Sequence, residues 1–142
     1  HGFDSHAYIT NHERPLVLGG VTFESDFALQ GHSDSDVIIH ACIDSLLSPA
    51  GLGDIGTLFP DEDSEYLNAD SLELLEQSVE LVKSEGWTIV NIDCSVIAET
   101  PKIQTGDPCI KWFWYRAEQS SYPTQSGVSS NASVLLKSSS TG

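Results

Sequence analysis

Between Val90 and Ala98 the chain alternates in two-residue steps. Val90, Ile92, Cys94, Val96 and Ala98 fall on one side, and Asn91, Asp93 and Ser95 on the other. Successive side chains of a strand point to opposite faces, so this stretch reads as a half-buried β-strand ending before Pro101. Its apolar face needs a cover, and two stretches offer one. From Asp36 to about Ser48, Ile39, Cys42 or Ile43, and Leu46 recur at three- and four-residue steps, the period of an amphipathic helix. Ser33 and Asp34 are suitable N-caps for it, and Pro49 with Gly51 ends it. A second helix starts near Asp70, with Glu73 three residues on as a variant capping box. It buries Leu72, Leu75, Val79 and Val82, and Gly86 caps its end. Leu16–Leu18, Gly19-Gly20 and Val21–Phe23 read as a tight hairpin. His1 to Tyr8 alternates well enough for a short strand. The expected fold class is α+β, a small mixed sheet with helices packed on one face. After Lys102 the pattern fades. Trp112-Phe113-Trp114-Tyr115 has no clear period, the segment from Ala117 is serine-rich, and only Ala132–Lys137 reads as a strand.

A chain of 142 residues with 39% hydrophobic content suits one domain with a real core. No apolar run approaches the ~20 residues of a membrane span, so no membrane partner is expected and the chain should be soluble. With 21 Asp+Glu against 6 Lys+Arg, the formal net charge is −15, and no Lys or Arg occurs between Pro15 and Val82. Such a field repels nucleic acid, which excludes base stacking by the aromatic run flanked by Lys111 and Arg116. It also means that an anionic ligand must be held by metal ions, backbone N–H groups or His. Cys42, Cys94 and Cys109 contain no CxxC pair, which fits a reducing compartment. Cys42 and Cys94 read as small core residues.

Three residues suggest chemistry. Asp4 and His6 lie two apart, hence on one face of a strand. His40 lies on the first helix, on the stripe of Asp36 and Asp44. Asp, His and His form a zinc-type ligand set that leaves a fourth position open. The plain alternative is a surface Asp/His pair and an unrelated, partly buried His. The acidic run Asp61–Glu65 fails as an EF-hand loop, because its sixth and twelfth positions hold Tyr66 and Leu72. There is no nucleophile elbow, P-loop or dinucleotide fingerprint.

Taken together, HGFDSH (1–6), the GG hairpin (19–20), HSDSDVIIHA (32–41), GLGDIGTLFPDED (51–63), the helix start at 69–75 and NIDCSVIAETPK (91–102) resemble one family. It is the 2-C-methyl-D-erythritol 2,4-cyclodiphosphate synthase family of the non-mevalonate isoprenoid pathway. The resemblance covers His1 to about Ile103. It implies one domain over 1–142, with 104–126 divergent and 127–142 echoing the family's closing strand. It implies a homotrimer whose sheets face one another around a threefold axis, with active sites between neighbouring subunits. The implied activity is that of a phosphorus–oxygen lyase. It cyclises 4-diphosphocytidyl-2-C-methyl-D-erythritol 2-phosphate to the 2,4-cyclodiphosphate and releases CMP. By position, Asp4, His6 and His40 would bind Zn2+, Asp4 and His6 also bordering the substrate. His32, as the catalytic residue, and Ser33 would meet the phosphate that becomes nucleophile. Asp54, Ile55 and Gly56, with Phe59, Asp61 and Asp63, would line the rest of the pocket. Ala98, Thr100, Pro101 and Lys102 would hold the cytosine and its phosphate from an adjacent subunit. A second divalent cation, Mg2+ or Mn2+, and a cytoplasmic location (plastid in a plant or alga) complete the expectation.

Such a reaction is intramolecular, so no protein nucleophile is required; positioning and charge neutralisation carry it. The chain departs from the family pattern at Ser35, where the family has glycine, and at Thr100. Its C-terminal third also has no segment of consecutive threonines with a Glu, which in the family serves the magnesium and the transition state. Two alternatives follow: a zinc- and nucleotide-binding relic of the same fold, or an unrelated acidic cation-binding protein.

Overall fold

The computed structural model describes residues 1–10, 13–101, 114–119 and 127–138. The strands are β1 (Gly2–Thr10), β2 (Leu16–Leu18), β3 (Val21–Phe23), β4 (Phe27–Leu29), β5 (Trp87–Ala98), β6 (Trp114–Gln119) and β7 (Gly127–Ser138). The helices are α1 (Val37–Ala50), the one-turn α2 (Ile55–Leu58) and α3 (Ser71–Ser84), with a 3-10 turn at Ser64–Tyr66. β4, β1, β7, β5 and β6 form one sheet in that order, and β2–β3 form a separate hairpin. β7 runs antiparallel to both β1 and β5, whereas β6 is parallel to β5, so the sheet is mixed. The α+β expectation stands. The closing strand is longer than the alternation indicated, twelve residues rather than Ala132–Lys137.

α1 lies on β1 and β7 and is itself covered by α3. Val37, Ile38, Ile39, Ala41, Cys42, Ile43, Leu46 and Leu47 are all buried, nearly all the way round. Leu16, Leu29, Val37, Cys42, Cys94 and Val96 fill the sheet side of the core; Ile39, Ile43, Leu46, Phe59, Leu74 and Val82 fill the other. Cys42 and Cys94 are core residues as expected, their free thiols 3.2 Å apart. The adjoining thiol and burial push Cys42 well above its usual pKa. Gly2 explains how close α1 comes to the strand: a Cβ there would run into the Ala41 carbonyl and the Ser45 amide. Gly19 and Gly20, with φ of 60° and 77°, make the hairpin turn that the sequence indicated.

Four local expectations are corrected. The N-cap of α1 is Asp36, rather than Ser33 or Asp34. Its fully buried carboxylate accepts from Ile38 N and Ile39 N, and also from Gly19 N (2.9 Å) and Gly20 N (2.6 Å). One side chain thereby caps the helix and ties down the hairpin. Pro49 sits inside the last turn of α1, and Gly51 closes it. α3 begins after Asp70 as expected, but Glu85 rather than Gly86 caps its end, and its buried residues are Ser71, Leu74, Ser78 and Val82. Leu72, Leu75 and Val79 are only half-buried. The two serines go inside because their hydroxyls are satisfied there, Ser78 on the Leu74 carbonyl and Ser71 on Asp34. In β5 the register shifts between Ile89 and Asn91, and Val90 is 54% exposed. A bulge takes Val90 off the inner face and puts Ile89 into the core instead.

The other sheet face has no helix on it among the described residues. It carries Phe3, 57% exposed, and Leu135, 60% exposed, with Asn131, Ser133 and Asp93 around them.

Candidate active site

Asp4 and His6 share the face of β1 that meets α1, as does Gly2. On α1, His40 and Asp44 are only partly covered, one turn apart, among fully buried neighbours. The close approach at Gly2 therefore sets the helix polar stripe against the strand pair. Asp4 Oδ2 lies 2.8 Å from His6 Nε2 and 3.1 Å from His40 Nδ1, and the two nitrogens are 3.3 Å apart. These three are the group of potential ligands found among the described residues.

The triangle is a direct test of metal fit. Tetrahedral zinc with bonds of about 2.0–2.1 Å places its ligand atoms about 3.3 Å apart. The observed edges are close to that face, with a fourth direction left toward the cavity. His6 is oriented from behind: its Nδ1 donates to the Gln30 carbonyl, leaving Nε2 as the coordinating atom. Burial works against the Asp4 charge. Hydrogen bonds from His40 and His6, and their positive charge, outweigh it and hold the carboxyl well below the usual carboxylate range. Burial likewise opposes a charged His6, but Asp4 and the Gln30 carbonyl win and raise it above 6.5. Convergent carboxylate and imidazole groups at this spacing suit a cation between them.

A cavity of about 190 Å³ opens from this triangle. Of the residues indicated by the sequence, Asp4, His6, His32, Ser33 and His40 line one wall, and Ile55, Gly56, Phe59 and Asp61 the other. His32 Nε2 is buried with no hydrogen-bond partner. Asp54 is not on the wall. It caps α2, accepting from Thr57 N (2.7 Å) and Thr57 Oγ1 (2.8 Å), bonds that lower its pKa. Asp63 caps the 3-10 turn through Glu65 N. Ala98 ends β5 and Thr100 and Pro101 follow it; none of the three lines the cavity, and Lys102 lies outside the described residues. Tyr8 reaches them from β1, its hydroxyl donating to the Thr100 carbonyl at 2.5 Å.

Several contributors had no signal in the sequence. Tyr66 and Leu74 line the cavity, and Phe59 stacks edge-on against Tyr66. Arg14, just before the long stretch without cations, donates to the Gly31 carbonyl (2.7 Å), the Ser33 carbonyl and Ser35 Oγ (2.9 Å). It pins the loop that carries His32 and Ser33. Ser35 stands in the left-handed region with φ 62°, where an L-residue is strained. Its hydroxyl is the group that Arg14 uses. Ser71, 31 residues from His40 and 37 from Asp34, bonds to both, a separation no local pattern reports.

The chain is similar to known proteins along most of its length. A family model described as the YgbB family matches residues 1–113. A 2-C-methyl-D-erythritol 2,4-cyclodiphosphate synthase from Clostridium botulinum strain Hall is 51% identical over 102 residues, 72% of this chain and 64% of that relative. The matched stretch thus spans just under two thirds of its length. Among solved structures, a 2C-methyl-D-erythritol-2,4-cyclodiphosphate synthase superposes with a TM-score of 0.84 at 30% identity, covering 96% of this chain and 97% of that one. A synthase structure described as the CDP-bound form superposes with a TM-score of 0.81 at 31% identity, over 96% and 97% of the two chains. On the extent of the family match and the identity to its relatives, this chain belongs to the YgbB family.

Proposed function

We propose that the chain is a cyclodiphosphate synthase. It would convert 4-diphosphocytidyl-2-C-methyl-D-erythritol 2-phosphate into 2-C-methyl-D-erythritol 2,4-cyclodiphosphate and CMP. The observation that carries this reading is the Asp4–His6–His40 triangle opening into a cavity that also holds His32 and Ser33. Its relatives' names and the CDP-bound neighbour support the substrate class.

A divalent cation, Zn2+ on this donor set, supplies positive charge that an anionic substrate cannot obtain from the scarce basic side chains. The protein's own part is positioning. Asp4, His6 and His40 fix where a phosphate sits. His32, whose Nε2 has no protein partner, and Ser33 border that place and orient the attacking phosphate oxygen. Ile55, Gly56, Phe59 and Asp61 close the opposite wall, with Asp54 and Asp63 shaping the loops behind them. The attack is within one molecule, so holding the two phosphates together lowers the barrier without a covalent enzyme intermediate. A second cation, Mg2+ or Mn2+, would screen the diphosphate.

The cytidine end is assigned to Ala98–Lys102. In one chain the described part of this loop does not line the cavity, which favours a homotrimer in which it serves the neighbour's site. The bare sheet face with Phe3 and Leu135 favours the same assembly. We also read 1–142 as one domain and the cytoplasm, or a plastid, as its location.

CMP release is the test, measured with zinc and magnesium supplied and with His40→Ala as control. Release that disappears in His40→Ala supports the reading. A second reading, substrate binding without turnover, is favoured by the missing Thr/Glu segment of the C-terminal third. Stoichiometric substrate binding with no CMP release would select it.

A further inference from the structure

Arg14 stands off the cavity but holds the loop that forms one of its walls. Its Nη1 donates to the Gly31 carbonyl at 2.7 Å, and its Nη2 to the Ser33 carbonyl and to Ser35 Oγ at 2.9 Å. The carbonyl between them, that of His32, accepts from the Asn68 amide at 3.1 Å. Gly31, His32 and Ser33 line the cavity, whereas Arg14 and Asn68 do not. Three successive carbonyls are thus taken by donors that lie off the cavity wall. These peptide bonds are trans. In a trans peptide the N–H points opposite to the C=O of the preceding residue. The His32 amide therefore points away from Arg14, and the Ser33 amide away from Asn68. Neither amide has a hydrogen-bond partner among the described residues.

Arginine suits this task and lysine does not. A guanidinium is a planar fork that spans several oxygens at fixed spacing, whereas an ammonium is a point charge. All three acceptors are neutral oxygens, so none of these bonds cancels the Arg14 charge, and no other Lys or Arg follows in the sequence before Lys83. Ser35 completes the latch. It is fully buried and stands at φ 62°. Strain of that kind persists where the surroundings over-determine it. Here Ser35 Oγ fills the space into which a Gly31 Cβ would fall, and Ser35 N donates to Ser33 Oγ at 3.2 Å. A glycine would take this φ without strain but would offer Arg14 no oxygen.

We propose that Arg14 and Ser35 are positioning residues for the phosphate: they turn the loop carbonyls aside and aim the His32 and Ser33 amides at an anion in the cavity. The inference deepens the proposed function and rests on that reading for the identity of the anion. Its test does not need turnover. Inorganic phosphate is titrated into the metal-free protein against sodium chloride of equal ionic strength, and the amide signals are followed by nitrogen–proton NMR. The expected result is a saturable shift of the His32 and Ser33 amides. Arg14→Gln should weaken phosphate binding about 10-fold or more, the effect of losing charge-assisted bonds. Arg14→Lys should not restore it, because the charge returns without the fork. Ser35→Gly suits the left-handed backbone and should weaken binding about 3- to 10-fold at an unchanged melting temperature. No shift in the wild-type chain, full binding in Arg14→Gln or full rescue by Arg14→Lys would each overturn the proposal. Should Arg14→Gln not fold, Ser35→Gly decides alone, and unchanged binding there overturns it. Phosphate shifts that behave as expected in a chain that releases no CMP would uphold the inference and count against the turnover reading alone.

Discussion

At the scale of single residues, the site is built on opposed shifts. Asp4 is held below, and His6 above, their ordinary values of 3.8 and 6.5. A histidine raised by its partner adds stability that is complete below about 6.5 and is lost as pH climbs through its folded value. A depressed carboxylate adds stability that is complete above about 3.8 and is lost as pH falls through its folded value. The pair therefore helps the metal-free protein most between about pH 4 and 6.5. A metal ion at the triangle needs the lone pair that the His6 proton occupies. Zinc binding at about pH 6.5 should release protons, and zinc affinity should rise with pH across the His6 titration. Calorimetry in buffers of different ionisation enthalpy measures the release; a binding heat independent of buffer would contradict this account. The candidate ligand group was legible in the sequence because Asp4 and His6 sit two apart on a strand and His40 on a helix stripe. Their supports were not. Arg14, Ser71 and the Gln30 carbonyl act across distances in the chain that neither period nor composition encodes.

Among the elements, β1 does the most. Its inward positions hold Gly2 against α1, Asp4 and His6 at the triangle, and Tyr8 against Thr100. One strand thus sets both candidate metal ligands and the backbone of the segment assigned to the nucleotide. Burial, the largest cause, raises the Tyr8 hydroxyl pKa, so it remains a proton donor at neutral pH. Tyr8→Phe removes that donor and little volume. It should weaken CDP binding by roughly 3- to 10-fold, the ~1 kcal/mol of one hydrogen bond, while zinc affinity stays unchanged. Titration calorimetry with each ligand separates the two; equal losses for both would mean that Tyr8 only supports the fold. The element level was also where the sequence was most readable. The β2–β3 hairpin, α1 and the start of α3 lie where alternation, three- and four-residue steps and glycines put them. The polar misses share one cause, local satisfaction of groups that the pattern treats as solvent-seeking. Asp36 goes fully inside because four backbone amides meet it, and Ser71 and Ser78 because their hydroxyls are bonded. Val90 is lost from the core because one extra residue in β5 turns it outward.

For the whole molecule, the sheet face away from α1 is the outstanding question. A sheet this size is stable when both faces find cover or when one is polar. This one mixes Asn131, Ser133 and Asp93 with two apolar side chains more than half exposed, Phe3 and Leu135. Pairing with two more copies of the same face would bury them and would bring a neighbour's Ala98–Lys102 segment toward each cavity. Nothing in the spacing of residues announces such an assembly, because an outward strand position looks the same whether water or another subunit lies beyond it. Charge opposes it. Each copy carries a formal −15, so assembly gathers like charges into one particle. Self-repulsion of that kind is screened by salt, with a Debye length of about 30 Å at 0.01 M and about 8 Å at 0.15 M. A trimer of this kind should therefore be weakened at low ionic strength and restored near 0.15 M, while Leu135→Asp should keep the chain monomeric at both. Light scattering at micromolar concentration reads the mass directly. A wild-type chain that stays monomeric at both salt concentrations would remove the shared site, and with it the role given to Thr100 and Pro101.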